Sequence, residues 1–275
     1  YISLATSLFE VESAVVSIVG RDFPKDYLEE LADRNINMEG VEIDNTGDTF
    51  YWKGRYHKDI NRRDTLVTAL NTLANFNPIV PDGFKDAKVV LLGNLHPDTQ
   101  ESVISQINPQ NTTIILDTMN FWIERAWDEL MDVVSKTNII TINDEEAFQM
   151  TGKTNILSAA KQISEMGPSY VIIKKGEHGS MLYHNDQIFL APAVILDNVV
   201  DPTGAGDTFA GGMAGFLASQ PTLNFEVLKT AMVYGSSVAS FCVTDFGTKA
   251  IVNTSILQIK KRVDMLKKSV EFKTF

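Results

Sequence analysis

The sequence is poor in cysteine, in long apolar runs and in positive charge, and each shortage excludes a class of protein. A single cysteine, Cys242, rules out an internal disulfide and a cysteine-rich zinc site. No apolar run reaches the roughly 18 residues of a membrane span. Lys and Arg total 24 against 35 Asp and Glu, a net charge of −11, which argues against a general nucleic-acid binder. We therefore expect neither a membrane nor a nucleic acid as partner, and a reducing, cytoplasmic location.

The remaining composition is that of an ordinary globular protein. Of the 275 residues, 44% are hydrophobic and 21% are charged, and a chain of this length needs no disulfide or metal to be stable. We interpret residues 1–275 as a single domain. The chain opens at Tyr1 without Met, on a segment typical of a helix that has no capping residue before it. We expect that the beginning of the protein is missing from this sequence.

Short apolar runs alternate with segments of helical periodicity. The predicted strands are residues 13–19, 87–92, 113–116, 138–142 and 170–173, and the predicted helices are residues 24–34, 97–107, 123–134, 156–166, 208–217 and 255–270. Continuous apolar runs are typical of parallel strands buried on both faces, so we predict an α/β fold with helices on both sides of a mostly parallel sheet. Ligands bind beyond the carboxyl ends of such strands, where Asn94, Asp117, Asn143 and Lys174 stand.

One stretch departs from this alternation. Residues 42–60 contain the aromatic, β-prone run TFYWKGRYH at 49–57, which does not resemble a crossover helix. We predict a small β excursion that acts as a flap over the site or as a contact surface, and an edge hairpin without a role remains an alternative. Exposed aromatic side chains suit a sugar, a base or a partner subunit. Tyr51 and His57 are the candidate substrate contacts in this segment.

The strongest local signal is the run DPTGAGDTFAGG at residues 201–212. Gly204, Ala205 and Gly206 precede a predicted helix, so backbone N–H groups and the positive helix end can approach an anion closely. Asp207 follows at once. A carboxylate beside an anion site suggests a base that takes the proton of an attacking hydroxyl, as phosphoryl transfer requires. Neither the P-loop pattern nor G-x-G-x-x-G occurs, which excludes a Walker-A enzyme and a protein kinase.

The same run resembles the C-terminal signature of the ribokinase-like sugar kinases, the PfkB family. Three further stretches also resemble motifs of this family: GRDF at 20–23, NDEE at 143–146 and KKGEHG at 174–179. The resemblance implies a ribokinase-like three-layer α/β/α sandwich with a mostly parallel central sheet and a small β lid. It also implies a first strand and a diglycine motif that contact the sugar, and neither is present in this sequence.

The resemblance further implies roles for individual residues. Asp207 would be the catalytic base, and Gly204, Ala205 and Gly206 would form the anion hole for the γ-phosphate. Further positions would hold the cofactors ATP and Mg²⁺, and in some relatives K⁺. These are Asn143, Lys174, Gly176, Gly179 and Gly247 for the nucleotide, Glu146 for Mg²⁺ through water, and Asp201 and Thr203 for a monovalent cation.

Structural alternatives stand beside several of these roles. Asn143 and Glu146 can equally form a helix capping box, and Gly176 and Gly179 can be plain turn glycines. Asn94 and Asp117 can reach the substrate or cap loops. The predicted activity is ATP-dependent phosphorylation of a hydroxymethyl group on a sugar or sugar-like alcohol. A nucleoside kinase, such as an adenosine kinase, is the alternative; a non-catalytic binding protein is a third. A homodimer formed through the lid is expected.

Overall fold

The computed structural model describes residues 1–57 and 63–273 of the chain. Its strands are β1 (Ser13–Gly20), β2 (Ile36–Asp44), β3 (Tyr51–Tyr56), β4 (Arg63–Ala69), β5 (Val89–Leu92), β6 (Thr113–Leu116), β7 (Ile139–Asn143), β8 (Tyr170–Lys174), β9 (Ser180–His184) and β10 (Gln187–Ala191). Its helices are α1 (Ile2–Ser7), α2 (Lys25–Asp33), α3 (Pro97–Gln106), α4 (Asn120–Arg125), α5 (Trp127–Ser135), α6 (Asp144–Thr151), α7 (Ile156–Glu165), α8 (Ala205–Ser219), α9 (Phe225–Cys242), α10 (Lys249–Val252) and α11 (Ile256–Val270).

A six-stranded sheet forms the centre of the molecule, with strand order β10-β9-β8-β7-β6-β5. Strands β5 to β8 run parallel, and β9 and β10 add an antiparallel edge. Because the strand ends of β5 to β8 meet at one edge of the sheet, their following residues are brought to a common site. The predicted strands at 87–92, 113–116, 138–142 and 170–173 all lie in this sheet.

Helices cover both faces of the sheet, and consecutive strand residues point into two different cores. Ile140 and Ile142 pack with α3, α5, α6 and α7, whereas Ile139 packs with α8 and α9 on the other face. All three isoleucines are fully buried. This arrangement confirms the predicted α/β/α sandwich with a mostly parallel sheet.

The structure divides one predicted helix into two and adds a helix, α9, and strands that were not expected. The helix predicted over 123–134 is two helices, α4 and α5, because Ala126 adopts φ −142° and ψ 49°, outside the helical region. Strand β2 pairs in parallel with β1 in a separate two-stranded sheet, and β9 and β10 were not anticipated. None of the described helices is long and apolar enough to cross a membrane.

The aromatic segment forms a separate antiparallel hairpin of β3 and β4. The hairpin differs from the predicted lid, 42–60, at both ends: residues 42–44 belong to β2, and pairing with β3 continues to Ala69. Residues 58–60 of that prediction lie outside the described residues. Thr49 ties the base of the hairpin to the end of β1, because its N–H and its hydroxyl both donate to Asp22 Oδ1 at 2.7 Å.

Candidate active site

The N-terminus of α8 follows a glycine-rich turn. Gly204 caps the helix at φ +79° and ψ 3°, a left-handed conformation that favours glycine. The Ala205 N–H donates to the Pro202 carbonyl at 3.1 Å, and the Thr208 N–H closes the first helical bond to the Gly204 carbonyl at 2.8 Å. Among the described residues, none accepts a backbone hydrogen bond from the Gly206 N–H. That N–H and the positive end of the helix are therefore available to a phosphate oxygen.

A cavity of about 440 Å³ continues from this helix end. Lys174, Gly176 and Gly179, all predicted nucleotide residues, lie in its wall together with Ala205 and Gly206. Most of the remaining wall is apolar and includes Val194, Leu196, Val199, Phe209, Ala239 and Val243. The size and the mixture of an apolar wall with a polar end suit a nucleotide. Sequence reasoning missed the segment 194–199, because no pattern in it distinguishes it from an ordinary loop.

Both predicted glycines in the cavity wall adopt a positive φ, +54° at Gly176 and +82° at Gly179, and packing adds a further requirement at Gly179. Gly179 has φ +82°, and a Cβ there would lie 2.1 Å from the Ala191 carbonyl oxygen, so glycine is required for packing. Gly176 stands in a short 3₁₀ turn that ends at His178. Gly247 adopts φ +63° in the turn after α9, with open space around it. The predicted adenine-contacting span, 237–247, contributes Ala239, Ser240 and Val243 to the cavity wall.

Lys174 and Asp117 form an ion pair at the polar end of the cavity. The Lys174 ammonium lies 2.9 Å from Asp117 Oδ1, and the two side chains are only 17% and 9% exposed. Burial alone would lower the pKa of Lys174, but the carboxylates of Asp117, Glu146 and Asp207 outweigh it and raise that pKa above its usual value. Lys174 is therefore a permanent cation near neutral pH. The Asp117 carboxylate binds a neighbouring side chain, an outcome that sequence reasoning did not consider.

Asn143 and Glu146 form the capping box that was the structural alternative to a ligand role. The Glu146 N–H donates to Asn143 Oδ1 and the Asn143 N–H donates to Glu146 Oε2, each at 2.8 Å. Glu146 is nevertheless 4% exposed and close enough to Lys174 to affect its pKa. The cap places a buried carboxylate at the carboxyl end of β7, beside the cavity. Capping and a water-mediated role toward Mg²⁺ are thus compatible.

Asn94, a predicted substrate contact, is engaged with the loop after β6 and with the start of α4. Its Oδ1 accepts a hydrogen bond from Trp122 Nε1 at 2.9 Å, and its Nδ2 lies 3.0 Å from the Met119 sulfur. The Trp122 ring also packs edge-on against His96, with centroids 4.9 Å apart. Asn94 therefore acts as a link between two loops at the carboxyl edge of the sheet.

The aromatic residues on the half-buried face of the hairpin are Trp52 and Tyr56, whereas Tyr51 and His57 were the predicted substrate contacts. Alternate residues of β3 share a face, and the half-buried ones are Trp52, Gly54 and Tyr56. Thr203 donates a hydrogen bond to the Tyr56 hydroxyl at 3.1 Å, so this face is directed at the anion-binding loop. Tyr51 is 53% exposed on the opposite face. His57, also exposed, pairs with Asp64 at 3.0 Å.

The orientation of the hairpin explains why Trp52 and Tyr56 were missed. Period-two alternation predicts that Trp52 and Tyr56 share a face, but only tertiary packing decides which face meets the loop. The ring of Trp52 lies directly over Gly54, where a Cβ would come within 2.2 Å of Cη2. Glycine at this position therefore lets the indole ring lie flat along the inner face.

Asp201 and Thr203, predicted to bind a monovalent cation, shape the loop before Gly204. The Thr203 N–H donates to Asp201 Oδ1 at 2.9 Å, which is a local turn. Within residues 1–57 and 63–273, no group of three or more His, Cys, Asp and Glu side chains could hold a metal by itself. Mg²⁺ keeps several waters and uses few protein carboxylates, so the oxygen donors of Glu146 and Asp207 beside a phosphate site fit that ion.

An α/β/α sandwich with an acidic residue in the first turn of a helix and a nucleotide-sized cavity at that helix end fits a phosphotransferase outside the P-loop class. The family match names it more closely: the chain belongs to the pfkB family of carbohydrate kinases, whose model matches residues 2–255. This match confirms the resemblance predicted from the motifs.

Individual relatives include kinases of nucleosides. The chain is 29% identical over 224 residues to the cytidine kinase of Thermococcus kodakarensis, which covers 80% of this chain and 79% of the relative. It is 27% identical over 266 residues to the nucleoside kinase of Methanothermobacter thermautotrophicus, which covers 90% of this chain and 78% of the relative. Among solved structures, an E. coli protein described as a ribokinase II, in complex with ATP and Mg²⁺, shares the fold with a TM-score of 0.76. Its identity is 20%, over 96% of this chain and 86% of that one.

Proposed function

We propose that the chain transfers the γ-phosphate of ATP to the hydroxymethyl group of a nucleoside, with Asp207 as general base. One observation carries this proposal: the Asp207 carboxylate stands in the first turn of α8, where the Gly206 N–H faces a nucleotide-sized cavity. A hairpin with an inner aromatic face closes against the same loop through Tyr56. A phosphate, its acceptor and a base can therefore meet at one point.

The chemistry follows from that geometry. Asp207 takes the proton of the acceptor hydroxyl as its oxygen attacks the γ-phosphorus, the bond to the β-phosphate oxygen breaks, and ADP leaves. The Gly206 N–H and the positive end of α8 stabilise the negative charge on the transferring group. The hairpin excludes water, which would otherwise compete as acceptor.

Mg²⁺ is the second cofactor of the proposal. Kinases of this family use ATP with Mg²⁺. Glu146, buried beside the cavity, would hold the hydrated ion through water, together with phosphate oxygens. When bound, the ion neutralises charge on the triphosphate. A K⁺ ion near Asp201 and Thr203 remains a prediction, which a comparison of initial rates in KCl and in tetramethylammonium chloride tests directly.

The inner face of the hairpin supports a nucleoside more strongly than a free sugar. Trp52 lies flat along this face, and an indole offers a stacking surface for a base. Both relatives named above act on nucleosides by their descriptions. A free sugar is the second candidate, because the family is described as carbohydrate kinases.

The outer face of the hairpin supports a homodimer as part of the proposal. Tyr51, Leu66 and Val67 are 53%, 48% and 42% exposed, which places apolar surface on a two-stranded sheet with free edges. Sedimentation velocity tests the dimer. A Val67→Asp variant that sediments as a monomer, while the parent sediments as a dimer, would support the hairpin as the interface.

The experiment that tests the activity is a coupled assay of ADP formation over a panel of acceptors. The panel contains cytidine, adenosine, inosine, ribose, fructose and 2-keto-3-deoxygluconate. We expect the highest kcat/KM with a nucleoside, and no turnover with the matching 5′-deoxynucleoside, which lacks the accepting hydroxyl. Preference for a free sugar would replace the nucleoside with the second candidate, and zero turnover with every acceptor would indicate a non-catalytic binding protein.

A further inference from the structure

The ammonium of Lys174 lies beside the helix end that receives the phosphate. A Cβ built on Gly206 would be 3.3 Å from Lys174 Nζ, a tight contact that places the ammonium directly beside the Gly206 backbone. The side chain is 17% exposed and lines the same cavity as Ala205 and Gly206. A phosphate oxygen that accepts from the Gly206 N–H would therefore come close to this cation.

The carboxylates around the Lys174 ammonium make this end of the cavity negatively charged. Asp117, Glu146 and Asp207 all act on Lys174, so three carboxylates face one ammonium. A triphosphate that enters this end of the cavity would meet net negative charge, and like charges at short range are mutually destabilising. A positively charged side chain at the terminus of α8 offsets that repulsion at the position where the γ-phosphate sits.

The position of the ammonium depends on Asp117. Lys174 ends β8 and Asp117 follows β6, with β7 between them, so the ion pair reaches across the end of β7. A lysine side chain has a flexible four-carbon stem, so its ammonium has no fixed position unless a partner holds it. Glu146 and Asp207 compete for the same ammonium. The 2.9 Å pair with Asp117 fixes the Lys174 ammonium at this position beside Gly206.

We infer that Lys174 contacts the transferring phosphoryl group and that Asp117 is the positioning residue that holds the Lys174 ammonium there. The inference rests on the proposed function, because it assigns Lys174 a part in the transfer step. Asp117 then acts through Lys174 and has no contact with the acceptor. Lys174 stabilises the charge that builds on the phosphoryl oxygens as the bond to ADP breaks.

The test compares five single variants and one double variant with the parent protein. Lys174→Met and Asp117→Asn each remove one charge of the pair, and the double variant removes both. Lys161→Met and Asp186→Asn are the matched controls, because that exposed ion pair, at 2.6 Å, joins α7 to the turn after β9, at the opposite edge of the sheet. The readouts are kcat, KM for ATP and for acceptor, and the thermal midpoint of unfolding.

We expect Lys174→Met to lower kcat by about 10²- to 10³-fold, the usual effect of removing one donor to a transition-state charge. Asp117→Asn should lower kcat by at least about tenfold and leave the acceptor KM within about twofold, as expected for an effect on the transition state alone. The double variant should lose no more than Lys174→Met, since the two residues act as one unit. Asp117→Glu should restore part of the loss, and both controls should keep the parent kcat.

The variants also separate a folding defect from a catalytic one. Lys174→Met leaves a buried carboxylate without its partner and is expected to lower the unfolding midpoint, whereas the double variant removes both charges and should recover it. A double variant that regains the midpoint but not kcat supports the inference. Parent-like kcat in Lys174→Met, or an Asp117→Asn variant that raises only the acceptor KM, overturns it. Absence of transfer in the parent protein itself would refute the proposed function instead.

Discussion

The hydroxyl groups of Tyr56 and Thr203 lie 3.1 Å apart and join the hairpin to the loop that precedes the N-terminus of α8. They are 147 positions apart in the sequence, so only the fold brings them together. The contact places the inner face of β3 over the anion-binding loop. It therefore links closure of the hairpin to the geometry of the phosphate site.

Removal of this link should weaken closure without disturbing the fold. A neutral hydrogen bond contributes about 0.5–1.5 kcal/mol, so Tyr56→Phe should raise the acceptor KM by about 2- to 10-fold. Hydrolysis of ATP in the absence of acceptor should increase, because water is excluded less well. Steady-state kinetics and ADP release without acceptor measure the two effects. Tyr51→Phe is the control, and an equal effect there would contradict the orientation of the hairpin.

Trp52 should determine how tightly a nucleoside binds. Stacking of a base on an aromatic side chain is worth about 1–3 kcal/mol, so Trp52→Ala should raise the KM for a nucleoside by about 10- to 100-fold. The Kd for ATP, measured by calorimetry, should not change. Gly54→Val should have a similar effect, because its Cβ would displace the Trp52 ring. An equal loss with ribose as acceptor would show that the indole does not stack on a base.

Glu146→Gln separates the capping role of Glu146 from its proposed role toward Mg²⁺. Glutamine can complete a capping box as glutamate does, so the variant should unfold at nearly the parent temperature. It lacks the negative charge that would hold a hydrated cation, so the Mg²⁺ concentration for half-maximal rate should rise at least about tenfold. A Mg²⁺ titration of the rate measures this shift. Parent-like Mg²⁺ dependence would leave Glu146 with the cap alone.

The Asp22–Thr49 contact should make stability depend on pH in the acid range. Hydrogen bonds from the Thr49 hydroxyl and N–H lower the pKa of Asp22 in the folded protein. A lowered folded pKa contributes stability above the unfolded pKa, and this contribution is lost as the pH falls through the folded value. Asp22→Asn should therefore destabilise the protein at about pH 7 and less so below about pH 4. Urea unfolding at several pH values measures the difference, and a constant difference would contradict the contact.

Much of the central sheet was predictable because its strands are buried on both faces and therefore appear as apolar runs. Thr113–Leu116 matches its predicted strand at both ends, and helices α7 and α11 agree with prediction within one residue. The antiparallel edge was not predictable in the same way. Within the described residues 170–191, no α-helix separates β8, β9 and β10, so the alternation of strands and helices does not reveal the last two, and the break at Ala126 has no proline or glycine to mark it.

The site was predictable where function depends on the backbone and less so where it depends on side-chain packing. A helix after the glycine pattern was expected from residue 208, and it begins three residues earlier, at Ala205, behind a left-handed Gly204 that was not predicted. The pairing of Asp117 with Lys174 was not, since it joins residues 57 positions apart across an intervening strand. The choice of Trp52 and Tyr56 over Tyr51 and His57 likewise depends on how the hairpin is seated, which a single strand pattern does not specify.

The most direct test of the central claim is to measure both kcat and the Kd for ATP of the Asp207→Asn variant. Asparagine has nearly the same shape but cannot accept the proton of the acceptor hydroxyl. The account predicts that kcat falls by about 10²- to 10⁴-fold, the usual contribution of a general base, while the Kd for ATP stays near that of the parent. A kcat within a few-fold of the parent, with ATP bound normally, would contradict the assignment of Asp207 as the base.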